Sequence, residues 1–137
     1  NIAVQCALLH DCLEDTYVVY DEIVSQFGSY VADGVLALSK DGAVGVSEDE
    51  HKRHWLQLED SLHRIKKQPR EIWMVKLADC ITNLQPPPRH WDDEKIARYK
   101  EGAELIHKEL ASASVYLGKR LREKIDLYPE GDSAPTL

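Results

Sequence analysis

The sequence predicts an all-α fold, and three observations carry that prediction. Apolar residues recur at intervals of three and four over most of the chain, the spacing of one helix face. Helix start and stop signals bracket those stretches, with Pro69 and Asp92-Asp93-Glu94 at starts and Pro86-Pro87-Pro88 at a stop. No convincing apolar/polar alternation, heptad run or internal repeat competes with the pattern, and only Tyr17-Val18-Val19-Tyr20 reads as a short extended piece.

Taken in order, Ile2, Ala3, Cys6, Leu8, Leu9 and Leu13 predict a mostly buried first helix that runs into His10-Asp11. Asp21 to Phe27 and Tyr30 to Leu38 form two short helices hinged at Gly28-Ser29, and Gly42 and Gly45 flank a loop. Ser47 and Glu50 have capping-box spacing, and Trp55, Leu58, Leu62 and Ile65 give an amphipathic helix from about 48 to 67. Pro69 suits the first turn of the next helix, which continues through Ile72, Trp73, Leu77, Cys80, Ile81 and Leu84 until the triple proline stops it. Asp92-Asp93-Glu94 complement the positive end of a long helix with the stripe Ile96, Tyr99, Ala103, Ile106 and Leu110. After a break between Ala111 and Ser114 the stripe resumes at Val115, Leu117, Leu121 and Ile125, and Gly131 to Leu137 reads as a loose tail.

At 137 residues the chain has the size of one compact domain, expected over residues 1–128 with a C-terminal tail at 129–137. Seventeen Lys and Arg against 24 Asp and Glu give a net charge of −7, with 43% hydrophobic and 30% charged residues, a globular balance. The acidic sum argues against a general nucleic-acid-binding module. Uninterrupted apolar runs reach only four residues, against about 20 for a helix that spans a bilayer. Neither nucleic acid nor membrane is therefore expected as a partner, and homo-oligomerisation is left open. Cys6, Cys12 and Cys80 have no CxxC spacing and are odd in number, which fits small buried thiols in a reducing, cytoplasmic setting.

The informative cluster is His10-Asp11-Cys12-Leu13-Glu14-Asp15. On a helix His10 and Glu14 are four residues apart, as are Asp11 and Asp15, so an imidazole and three carboxylates converge on one helix end. Imidazole beside carboxylate offers nitrogen and oxygen donors to Mn²⁺, Fe²⁺ or Zn²⁺, and the other acidic pair can orient or deprotonate a water there. A solvated helix terminus is the plainer alternative. Asp79 supplies a distant partner within Val75-Lys76-Leu77-Ala78-Asp79, with Asn83 four residues later on the same face. A carboxylate among Leu77, Ala78, Cys80 and Ile81 needs a counter-charge, because burying it unpaired costs on the order of several kcal/mol. A metal would supply that charge, and so would Lys76 or Arg70.

Together the two motifs resemble the HD-domain metal phosphohydrolases, in particular the RelA/SpoT-type (p)ppGpp hydrolase domains and their small stand-alone relatives. The matching text is Ala7-Leu8-Leu9-His10-Asp11-Cys12-Leu13-Glu14-Asp15-Thr16, then Asp21-Glu22-Ile23 with Phe27-Gly28, then Val75-Lys76-Leu77-Ala78-Asp79-Cys80-Ile81-Thr82-Asn83-Leu84. An HD pair alone is weak, but HDxxED followed by KLADxxxNL is specific to this branch. The resemblance runs from about Ala7 to Leu110 and implies an HD-domain helical bundle in which His10, Asp11 and Asp79 ligate one divalent ion, usually Mn²⁺. It further implies that Glu14 and Asp15 handle the water, that Asn83 contacts a phosphorylated guanosine nucleotide, and that Lys95 and Tyr99 line its site. The implied reaction cleaves the 3′-pyrophosphate from the ribose.

The family's first metal-ligand histidine and some nucleotide-holding basic residues lie upstream of Asn1, so the sequence as written carries three of the family's four protein ligands. A start inside a helix and without Met reads as an N-terminally truncated domain. Lys52 and Arg53, in His51-Lys52-Arg53-His54, offer phosphate contacts beside a glycine-containing loop, or else a solvated helix face. Trp55 and Trp73 read as core residues, and Trp91 is placed at a pocket mouth. Two further readings keep the scaffold: hydrolysis of another phosphorylated nucleotide or of NADPH, and a non-catalytic nucleotide-sensing or interaction domain.

Overall fold

The computed structural model describes residues 1–10, 20–39, 45 and 48–131, which form seven α-helices and one 3-10 turn, with no strand among the described residues. The helices are α1 (Ile2–Leu9), α2 (Tyr20–Phe27), α3 (Ser29–Leu38), α4 (Glu50–Lys66), α5 (Arg70–Asn83), α6 (Asp93–Leu110) and α7 (Val115–Leu127), with the 3-10 turn at Ala111–Ala113. The all-α helical architecture expected from periodicity is what the chain adopts. By compactness it divides into Asn1–Lys76 and Leu77–Leu137, a boundary that falls inside α5.

In the first unit α3 packs against α1, α2 and α4. Its small and β-branched residues make this possible: Ala32 and Val35 are fully buried. At Gly34 an added Cβ would stand 2.7 Å from both the Cys6 sulfur of α1 and the Ile72 Cδ1 of α5. Burial pushes the Cys6 thiol pKa up, as expected of a small packed thiol. The hinge between α2 and α3 is Gly28, whose φ of +90° is a backbone state that side-chain-bearing residues rarely adopt. Arg64 of α4 ties down the end of α3, donating from Nη1 to the Leu36 carbonyl (2.6 Å) and from Nη2 to the Ser39 carbonyl (2.7 Å). Its Nε is held by Asp60 at 3.0 Å. Carbonyls left over at a helix end are thereby satisfied.

Several local expectations differ from the structure. The first helix is not mostly buried: only Cys6 of α1 is buried, and Val4 and Leu8 are exposed. Helix α4 is capped by Asp49, whose Oδ1 accepts from Lys52 N (3.3 Å). Ser47, the expected cap, lies outside the described residues. Aspartate is as good a cap as serine, so two candidates two residues apart compete locally. Tyr20 opens α2 instead of ending an extended piece, and its hydroxyl donates to Asp33. Asp21 and Glu22 favour a helix N-terminus immediately after it, and Tyr17 to Val19 lie outside the described residues. Trp55 and Trp73 are half-buried rather than core. The Trp73 indole N–H donates to the Gln68 carbonyl at 3.0 Å, the kind of partner that keeps an indole at the edge of a core.

In the second unit α6 and α7 pack across the 3-10 turn, with Leu110, Leu121 and Ile125 fully buried. Asp92 caps α6 through Lys95 N (2.8 Å) and Ser114 caps α7 through Leu117 N (3.1 Å). Gly118 brings α7 close to Ala111, where a Cβ would come within 3.1 Å. Arg122 forks onto Glu104 with bonds of 2.9 and 2.8 Å and also pairs with Asp126. Of the expected tail, residues 129–131 are described, and they are held to α6: Lys100 Nζ donates to the Tyr128 carbonyl (3.0 Å) and to Glu130 (2.9 Å).

Candidate metal and nucleotide site

His10 is the C-cap of α1 and is half-buried. Its Nδ1 lies 2.7 Å from the Ala7 carbonyl, which only accepts, so Nδ1 donates there and the neutral form of the ring has its lone pair on Nε2. That is the tautomer a metal-ligating imidazole needs, fixed by the bond its other nitrogen makes. The backbone of His10 is also anchored. Ser39, 4% exposed, donates from Oγ to the Val35 carbonyl (2.8 Å) with the His10 carbonyl at 3.3 Å, and Arg64 holds Ser39 in turn. Asp11, Glu14 and Asp15 lie outside the described residues. Among the described residues no three His, Cys, Asp or Glu side chains gather as a metal cluster. Lys52 is exposed and Arg53 half-buried in the first turn of α4.

The second unit carries the other half of the expected set. Asp79 is half-buried in the last turns of α5, one residue from Cys80 and two from the fully buried Leu77. Asn83 ends the same helix, one turn on and exposed. On α6 the Tyr99 phenol is pushed above its ordinary pKa, first by burial and then by the charges of Cys80, Tyr128 and Asp79. Tyr99 and Asp79 are thus within electrostatic reach, and Tyr99 stays a neutral hydrogen-bond donor.

The Tyr99 ring stands between two others. Trp91 meets it edge-on with centroids 5.2 Å apart at 62°, and Tyr128 meets it tilted at 6.2 Å and 32°. Lys95 places its ammonium 4.5 Å from the Trp91 ring centre, a cation–π contact. The second unit therefore brings Asp79, Tyr99 and Lys95 into one neighbourhood and adds Trp91. Tyr128 was not singled out by the sequence reading, although its place three residues after Ile125 and seven after Leu121 continues the buried stripe of α7.

No family model matches the chain. It is 30% identical over 124 residues, 88% of its length, to the guanosine-3′,5′-bis(diphosphate) 3′-pyrophosphohydrolase MESH1 of Danio rerio. To the Homo sapiens protein of the same name it is 31% identical over 125 residues, again 88% of its length. These similarities support an HD-type (p)ppGpp hydrolase-like protein. It spans 64% of the Danio rerio family member and 65% of the human one, a little under two thirds of their length. A GTP pyrophosphokinase of Myxococcus xanthus is 36% identical over 110 residues, which is 77% of this chain and 14% of that much longer protein.

Proposed function

We propose that the chain hydrolyses the 3′-pyrophosphate of (p)ppGpp-type guanosine alarmones, releasing pyrophosphate. One observation carries the reading. A chain about 30% identical along 88% of its length to proteins named for that reaction also holds, in order, His10-Asp11 with Glu14-Asp15 and Lys76-Leu77-Ala78-Asp79 with Asn83-Leu84.

The donor set fits a divalent cation, and Mn²⁺ in particular. His10, with its proton held on Nδ1, contributes an imidazole nitrogen, and Asp11 and Asp79 contribute carboxylate oxygens. When bound, such an ion offsets phosphate charge and lowers the pKa of a water. Glu14 and Asp15 orient the attacking water and take its proton. Attack at the phosphorus breaks its bond to the ribose 3′ oxygen, which leaves protonated as the 3′-hydroxyl, with pyrophosphate as the other product. Asn83 hydrogen-bonds the substrate beside these groups. Tyr99 offers a ring edge and a neutral phenol, supported by its raised pKa, while Lys95, Lys52 and Arg53 supply cationic contacts to the nucleotide and its phosphates. The same proposal takes residues 1–128 as one functional domain with a tail at 129–137, in a cytoplasmic setting. No helix among the described residues is long and apolar enough to cross a membrane.

An aromatic contact accepts any base face, so adenine in NADPH is the specific competitor of guanine. The test offers ppGpp and NADPH separately, with Mn²⁺, and follows pyrophosphate and inorganic phosphate. Pyrophosphate from ppGpp is the expected result. Phosphate from NADPH with ppGpp intact would replace the substrate, and no product with no bound metal would favour a non-catalytic sensing domain.

A further inference from the structure

We propose that Tyr128 is a positioning residue for nucleotide binding, its backbone carbonyl held by Lys100 so that its ring backs the ring of Tyr99 in the orientation the nucleotide meets. This rests on the reading of Tyr99 as a nucleotide contact and adds a residue to it. Tyr99 is 37% exposed, whereas Tyr128 is 5% exposed, so one ring faces solvent in part and the other backs it. Tyr128 is the C-cap of α7, with φ −76° and ψ 137°, so no helical backbone fixes it from its C-terminal side. Its N–H is held by the Ile125 carbonyl, and its carbonyl by Lys100, the residue after Tyr99 on α6, whose side chain is 14% exposed and whose Nζ donates there. The helix that carries the part-exposed ring thus also carries the cation that holds the backbone of the residue behind it.

The chain after Tyr128 reinforces this arrangement. Glu130 takes a second bond from the same ammonium. Gly131, at φ +69°, lies so close to α6 that a Cβ there would stand 2.5 Å from the Asp93 carbonyl oxygen. The Tyr128 hydroxyl is not what earns the residue its place, because it is sealed from solvent and has no hydrogen-bond partner among the described residues. An unmade hydrogen bond opposes folding, and a sealed hydroxyl does not reach a ligand. The ring is the working part. Without it Tyr99 would have to be ordered when the nucleotide binds, which weakens binding and leaves the proton transfers of Glu14 and Asp15 untouched.

The experiment measures KM and kcat for ppGpp, and Kd for GDP, which binds without being hydrolysed at its 3′ position, in the full chain and three variants. Tyr128→Leu is expected to raise KM and the GDP Kd about three- to tenfold, the span of an aromatic pair's preference, with kcat within about twofold and Tyr128→Phe restoring both constants. Lys100→Met shifts both in the same direction and decides the matter where Tyr128→Leu fails to fold. Unchanged constants in the folded variants, equal losses in kcat and KM, or a phenylalanine that does not restore binding would each overturn the proposal. A wild type that binds GDP in a Tyr128-dependent way without hydrolysing ppGpp would sink the reaction and keep the positioning role. Hydrolysis with Tyr128-independent binding would do the reverse, and a wild type that neither binds nor hydrolyses overturns both.

Discussion

His10 and Asp79 are the two proposed site residues that are both legible in the sequence and described in the structure. His10 stood out because it shares a helix end with three carboxylates at four-residue spacing, and Asp79 because a carboxylate among apolar neighbours demands a partner. The tautomer of His10 was not legible, because it depends on the Ala7 carbonyl, whose position only the folded helix end supplies. Tyr128 was not legible as a site residue either, since its partners Tyr99 and Lys100 meet it only when α7 and the turn after it fold onto α6. At this scale Glu14→Gln is expected to leave metal binding intact while slowing turnover by about 10²–10⁴, the usual contribution of an acid/base group. Metal content by mass spectrometry beside steady-state kinetics checks it, and a near-normal rate would remove Glu14 from the water-handling role.

Helix α3 shows what apolar spacing conveys and what it omits. Periodicity located it, and the hinge glycine before it, because burial of one helix face imposes a period that survives in the sequence. Which neighbours approach it is set by Gly34, and that closeness follows from the positions of Cys6 and Ile72 rather than from any local pattern. Gly34→Ala would gain about 1 kcal/mol of helix propensity, but overpacking a filled core costs about 1–3 kcal/mol. The Ile72 Cδ1 is the end of a flexible chain and can turn aside, whereas the short, fully buried Cys6 side chain has nowhere to go. A lower melting temperature is expected for Gly34→Ala, recovered in part by adding Cys6→Ala, as a double-mutant cycle would measure. A Gly34→Ala protein as stable as the parent would show that α1 does not press on α3 as described. The N-terminus of α4 teaches a smaller lesson, since Ser47 and Asp49 are chemically equivalent caps and only the backbone chooses between them.

Across the whole molecule the charge balance is −7, and the pairing of acids with bases governs how stability answers to pH. Glu104 is held below its ordinary carboxylate pKa of 4.5, first by hydrogen bonds from Arg122 and further by the Arg122 charge. A depressed carboxylate contributes stability that is complete above the unfolded pKa and is lost as pH falls through the folded one, so the window here lies below about 4.5. Because the Glu104 side chain is 45% exposed, solvent screens the pair and the effect is modest. Glu104→Gln should melt below the wild type at neutral pH, with the gap closing as the pH falls under 4.5, and a gap that widens in acid would contradict the pairing. The division into two compact units, with a boundary inside α5, left no mark in the sequence, because the apolar stripe of that helix runs unbroken from Ile72 to Leu84. The central claim, a divalent-metal hydrolase acting on the 3′-pyrophosphate, is tested most directly by Mn²⁺-dependent pyrophosphate release from ppGpp by the full chain and by Asp79→Ala, with helicity followed by circular dichroism. Release by the wild type, abolished in an equally helical Asp79→Ala protein that no longer holds metal, is the expected result; equal release by both proteins would contradict it.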